Sequence, residues 1–128
     1  MKLLLDTHLL LWAASQPERL SKKARALISD AEHSLFFSAA SLWEVIIKTQ
    51  LGREDFNVDA RVLRRGLLAN GYAEVAIGSE HVVAVNDLPI FHKDPFDRIL
   101  IAQAVVEDLT LLTVDSRVAQ YPGHVRAV

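Results

Sequence analysis

The sequence predicts an α/β protein built on a parallel sheet. Short apolar runs alternate with segments of helical period, the order in which crossover helices join parallel strands. Two of these runs, Leu3-Leu4-Leu5 and Leu111-Leu112-Thr113-Val114, read as buried strands. Each is followed at once by an aspartate, Asp6 and Asp115. In an open parallel sheet, ligands bind outside the carboxyl ends of the strands, where strand order reverses. Aspartates delivered there from opposite ends of the chain predict one shared acidic pocket.

The elements follow in order. Residues 2–6 form the first predicted strand, and residues 8–14 a short helix stopped near Pro17. Ser21 caps a helix over 22–31, with Ala24, Leu27, Ile28 and Ala31 on one face. Leu35-Phe36-Phe37 is the second strand. A helix over 41–51 ends at Gly52, a residue suited to the left-handed turn that closes helices. Residues 53–58 are polar and read as loop, and a helix over 59–69 is ended by Asn70-Gly71. Residues 73–77 form the third strand, and Ser79 caps a helix over 80–85. Turn formers make 86–93 a loop. Asp94 caps a long helix reaching residue 107, with Pro95 at the first helical position, where its missing N–H costs nothing. Residues 110–114 are the fourth strand; a short helix near 116–120 leads to an edge strand at 124–127. There is no repeat, low-complexity tract or linker, and the 128 residues fit one domain, 1–128.

Composition narrows the function classes. With 51% hydrophobic residues the chain can bury a substantial core. It has no cysteine, which excludes disulfides, thiolate zinc sites and thiol nucleophiles. Met1 leads straight into the first strand, with no basic leader segment. No apolar run approaches the ~18 residues of a membrane span. A soluble, cytoplasmic protein is the expectation. The net charge of -2 argues against a general nucleic-acid coat but permits a local basic face. Aromatic content of 7% disfavours a stacking platform for single-stranded bases.

Between Asp6 and Asp115 lie two further candidates, Glu44 in Ser41-Leu42-Trp43-Glu44-Val45 and Asp97 in His92-Lys93-Asp94-Pro95-Phe96-Asp97-Arg98. Each acid has two readings. Asp6 and Asp115 are pocket acids or helix caps. Glu44 is a pocket acid or an exposed partner of Lys48 one turn on. Asp97 is a pocket acid or a charge complementing the helix dipole. Their coincidence at strand ends and helix starts favours the pocket. Converging carboxylates repel one another, and a hard divalent cation such as Mg2+ or Mn2+ resolves this because it prefers oxygen ligands. His8 and His92 flank the expected pocket, where packing is the commoner role for a lone histidine. Lys93, Arg98 and Arg117 are candidates to meet phosphates. Arg61, Arg64 and Arg65, like Lys22, Lys23 and Arg25, read first as solvated helix faces. Trp12, Trp43, Ile46 and Ile47 offer more apolar surface than one thin sheet layer needs, which points to a subunit interface.

Four blocks carry a family resemblance: Leu5-Asp6-Thr7-His8, Ser41-Leu42-Trp43-Glu44-Val45, His92 through Ala104, and Leu111 through Asp115. In order and spacing they resemble a PIN-domain nuclease, and more closely a VapC-type toxin of a toxin–antitoxin pair. The resemblance spans essentially the whole chain. It implies a doubly wound, five-stranded parallel sheet and a homodimer. It also implies Mg2+ or Mn2+ held by Asp6, Glu44, Asp97 and Asp115, with Asp94 left as a helix cap. The implied activity is hydrolysis of RNA phosphodiester bonds with a metal-activated water, silenced by an antitoxin that covers the site. Two rivals belong to other classes. A receiver-like signalling module needs an acidic pair after the first strand and a lysine after a late one, and no lysine follows Lys93. A catalytically silent PIN-like binding module acting through its protein partner does not require an intact acidic set.

Overall fold

A computed structural model describes residues 1–128. Its strands are β1 (Lys2–Leu5), β2 (Ser34–Ser38), β3 (Ala73–Val75), β4 (Thr110–Thr113) and β5 (Val125–Ala127). They form one five-stranded sheet in the order β3-β2-β1-β4-β5, with every neighbouring pair parallel. The chain builds outward from β1 through β2 to β3, then returns to lay β4 on the other side of β1. Strand order therefore reverses between β1 and β4, the position where such sheets open a binding crevice. The expected doubly wound parallel sheet is present.

Six helices cover it: α1 (Thr7–Ser15), α2 (Lys22–Ser29), α3 (Ala39–Gln50), α4 (Ala60–Ala69), α5 (Ser79–Val85) and α6 (Pro95–Glu107). Side chains alternate across a strand, and β1 shows what that does here. Leu3 and Leu5 enter a core with Leu9, Leu10, Ala24, Leu63 and Leu67, from α1, α2 and α4. Leu4 enters the opposite core with Leu100, Ile101 and Ala104 of α6. All three leucines are fully buried. Both faces of the sheet are dry, so an unbroken leucine run is the natural sequence for β1. Burying each such side chain stabilises the fold by about 1.5–3 kcal/mol.

One buried polar pair positions the helices. Ser38 Oγ donates to Gln103 Oε1 at 2.6 Å, and Gln103 Nε2 donates to the Ala76 carbonyl at 3.3 Å. Ser38 Oγ also accepts from Ala40 N at the start of α3. This bonds the end of β2, the start of α3, α6 and the chain after β3 into one unit. The sequence reading assigned neither Ser38 nor Gln103 a role.

Three local expectations are corrected. The cap of α5 is Gly78, not Ser79, which is the first helical residue. His81 supplies the missing side-chain group: its Nδ1 accepts from Gly78 N at 2.9 Å. The helix expected near 116–120 is a single 3-10 turn, Val118–Gln120. Ala31 lies beyond α2, which ends at Ser29. Gly52 sits at φ +74 immediately after α3, the left-handed conformation its stop role requires.

Candidate metal centre

Asp6 leaves the end of β1 and caps α1. Its Oδ1 accepts from Leu9 N at 2.9 Å, and its Oδ2 from Val114 N at 3.1 Å. Both readings of Asp6 thus meet in one residue: a helix cap whose second oxygen joins β1 to the end of β4. The side chain is buried, and burial pushes its carboxyl above the usual range despite these hydrogen bonds.

Glu44 lies on the inward side of α3 and is 3% exposed. Its Oε1 accepts from Thr7 Oγ1 at 2.6 Å, and Lys48 Nζ lies 2.5 Å from Oε2. The pairing with Lys48 exists, but within the protein rather than on an open helix face. Ser41 Oγ lies 3.0 Å from Thr7 Oγ1. Thr7, next in sequence to Asp6, therefore links the first acid to the second.

Asp97 stands in the first turn of α6, which Asp94 caps by accepting from Phe96 N at 2.8 Å and Asp97 N at 3.2 Å. The Asp97 carboxyl is pushed up to about 6. Burial is the main cause; the His92 hydrogen bond opposes it, and the charges of Asp94 and Glu44 reinforce it. Trp43 and Phe96, the residues before Glu44 and Asp97, meet edge to face at 5.4 Å between ring centres. Helices α3 and α6 pack together here, and the charge of Glu44 reaches Asp97.

Asp115 differs. Its Oδ1 accepts from Arg117 N at 2.8 Å, and its Oδ2 pairs with the Arg117 guanidinium at 3.3 Å. Partial burial works against ionisation, yet the Arg117 hydrogen bonds and charge hold Asp115 below the usual carboxylate range. Thr7 thus ties Glu44 to the residue beside Asp6, Asp97 feels the charge of Glu44, and Asp115 turns towards its own arginine.

The donor set suits a hard divalent cation. It is all oxygen, and Asp97 Oδ1 has no protein partner, while the oxygens of Asp6 accept from Leu9, Val114 and Thr113 and those of Glu44 from Thr7 and Lys48 without using up their lone pairs. A second cluster, Glu80, His81 and Glu107, contrasts with it. There, Gly78 N–H donates to His81 Nδ1, so the ring proton sits on Nε2 and is directed at Glu107, 3.0 Å away. That proton occupies the position a cation would need, and the cluster closes on itself as a structural hydrogen-bond set.

Raised carboxyls fix the sign of a pH effect. Asp6 and Asp97 bind protons more tightly folded than unfolded. The stability Asp97 adds is complete below the usual carboxylate pKa and is lost as pH rises through about 6; Asp6 acts with the same sign. Asp55 and Asp115 are shifted downward and act oppositely, but below pH ~4. Urea unfolding in EDTA should therefore show lower stability at pH 7.5 than at pH 5, with a smaller difference for Asp97→Asn. An identical pH response in wild type and variant would contradict this assignment.

Three further residues stand differently from expectation. His92 is buried, with Nε2 2.6 Å from Asp97 Oδ2. His8 pairs instead with the exposed Asp55 at 3.1 Å. Arg98, expected to meet phosphate, spends its guanidinium on the carbonyls of Val85, Pro89 and His92 and on the Tyr121 hydroxyl.

The chain matches the PIN domain family over residues 3–123 and belongs to that family, whose members are generally nucleases. Two solved structures have the same fold. VapBC2 from Rickettsia felis, bound to a DNA fragment from their promoter, is 12% identical with a TM-score of 0.71, covering 99% of this chain and 98% of that one. A toxin–antitoxin complex from Klebsiella pneumoniae is 17% identical with a TM-score of 0.60, covering 96% and 94%. No curated protein matches the chain.

Proposed function

We propose that the protein is a Mg2+- or Mn2+-dependent endoribonuclease, the VapC-type toxin of a toxin–antitoxin pair. The observation that supports this most is the buried pair of acids Asp6 and Glu44, joined through Thr7 where β1 meets the end of β4, with the half-buried Asp97 carboxyl raised in part by the charge of Glu44. In this reading those three acids hold the cation and Asp115 completes the site from the rim. The cation, when bound, supplies positive charge opposite the acids and the phosphodiester and makes a water more acidic. The chain's own residues supply the order. Thr7 and Lys48 hold the two oxygens of Glu44 in place, and the amides of Leu9 and Val114 hold those of Asp6. Lys93 is exposed and free to meet RNA phosphates, and Arg117, though paired with Asp115, is exposed beside the site.

Incubating the purified protein with RNA and Mg2+ or Mn2+ should give cleavage. EDTA should abolish it and excess metal restore it. Cleavage that ignores EDTA, or none under any metal, would overturn the proposal.

The proposed partners are RNA, a cognate antitoxin and a second copy of the chain. The two structural neighbours support the antitoxin, since one is a VapBC and the other a toxin–antitoxin complex. No helix is long and apolar enough to cross a membrane. The homodimer rests on α3, where Trp43 is 58% and Ile46 43% exposed. Apolar side chains grouped in this way favour a subunit contact. Light scattering at micromolar concentration should report about twice the chain mass of 14.3 kDa. A species of single-chain mass alone would refute the dimer.

A further inference from the structure

We infer that His92 is a positioning residue that fixes the Asp97 carboxylate for the metal by holding its Oδ2 and leaving Oδ1 free. The inference rests on the metal-centre reading above and concerns a residue outside the proposed ligand set. His92 ends the loop before α6. Its backbone is held on both sides: its N–H donates to Tyr121 Oη at 3.2 Å, and its carbonyl accepts from Arg98 at 3.3 Å. Tyr121 is buried, and the same Arg98 also grips Pro89 and Val85 at 3.1 Å each. The imidazole therefore reaches Asp97 from a fixed backbone, is itself 6% exposed, and makes a 2.6 Å contact.

The direction of that bond defines the role. An ionised carboxylate only accepts, so Nε2 carries the proton and donates to Oδ2. A nitrogen that is donating cannot at the same time bind a cation. His92, Asp94 and Asp97 lie within metal-binding reach of one another. Yet the imidazole proton faces Asp97, and Asp94 Oδ1 is taken up by two backbone amides of α6. Asp94 is committed to capping α6 through Oδ1, and on Asp97 it is Oδ1 that has no partner and can face the metal. A carboxylate hydrogen-bonded through one oxygen loses rotational freedom before the metal arrives, and loss of such outer partners typically weakens metal binding by about 10–100-fold.

Mn2+ binding, followed by the electron paramagnetic resonance signal of the free ion, tests this without an activity assay. His92→Gln and His92→Asn carry the same amide on side chains of different length. Glutamine places its amide where Nε2 lies; asparagine falls short of Oδ2. The expected result is Mn2+ affinity within a few-fold of wild type for His92→Gln, and weaker by about 10–100-fold for His92→Asn and His92→Ala. Metal-free thermal midpoints of the two amide variants should match each other. His92→Asn binding as tightly as His92→Gln would overturn the inference. So would His92→Gln binding as weakly as His92→Ala, which would assign the imidazole itself to the metal. Should wild type bind no Mn2+, the metal-centre reading falls and takes this inference with it. Tight wild-type binding that all His92 variants share overturns the inference alone.

Discussion

Asp97→Asn should lower RNA cleavage by at least about 100-fold while the protein stays folded. Losing an outer partner of a metal site costs about 10–100-fold, and removing a ligand's charge costs more. The amide keeps the size of the side chain and discards the charge that holds the cation. The same charge is a burden without metal: it is half-buried and is repelled by Asp94 and Glu44. At pH 7.5 in EDTA the variant should therefore melt no lower than wild type and up to several degrees higher. The two readouts move in opposite directions, which separates a functional acid from a structural one. A variant that cleaves normally, or that melts well below wild type in EDTA, would remove Asp97 from the site.

Arg98→Ala should do the reverse, costing about 2–4 kcal/mol of stability. Hydrogen bonds to charged groups contribute about 1.5–3 kcal/mol each, and unsatisfied partners add to the loss. The guanidinium is the shared partner of three backbone carbonyls and Tyr121 Oη. Its removal frees the segment from Val85 to His92. A thermal midpoint lowered by roughly 10 °C is the expected result. RNA affinity measured below the new midpoint should change little, because the guanidinium faces the protein rather than a phosphate. An unchanged midpoint with weakened RNA binding would restore the phosphate role.

Much of the sheet was legible because burial on two faces demands long apolar runs, and these stand out at Leu3–Leu5 and Leu111–Leu112. The helix of Asp97 was legible for a local reason: Asp94 and Pro95 are start signals whose effect does not depend on the rest of the fold. Asp6, Glu44 and Asp97 were legible as acids at strand ends and helix starts. What escaped depends on distant partners. Gln103 has no local feature that sets it apart, and its role appears only when Ser38, far off in sequence, arrives beside it. Arg98 read as a candidate phosphate contact and His92 as an ordinary packing histidine because neither Tyr121 nor the shape of the loop before α6 can be inferred from neighbouring residues. Short elements without strong signals were misplaced by a residue or more, as at Gly78 and in the 3-10 turn at Val118–Gln120.

The hydrogen bond from Val114 to Asp6 joins residues 108 positions apart, and it has a consequence for when the site comes into being. During synthesis β1 emerges before β2 and β3, yet one of its two neighbours, β4, emerges only after both. Until then Leu3–Leu5 lack their partners in β4 and Asp6 lacks its second amide. A nascent chain can assemble β1, β2 and β3, but the carboxyl edge stays unfinished. Closing so long a loop is also entropically costly, so pairing of β4 is expected late in folding. Thr7 can bring Glu44 beside Asp6 early, but the amide that holds the second oxygen of Asp6 arrives only with β4.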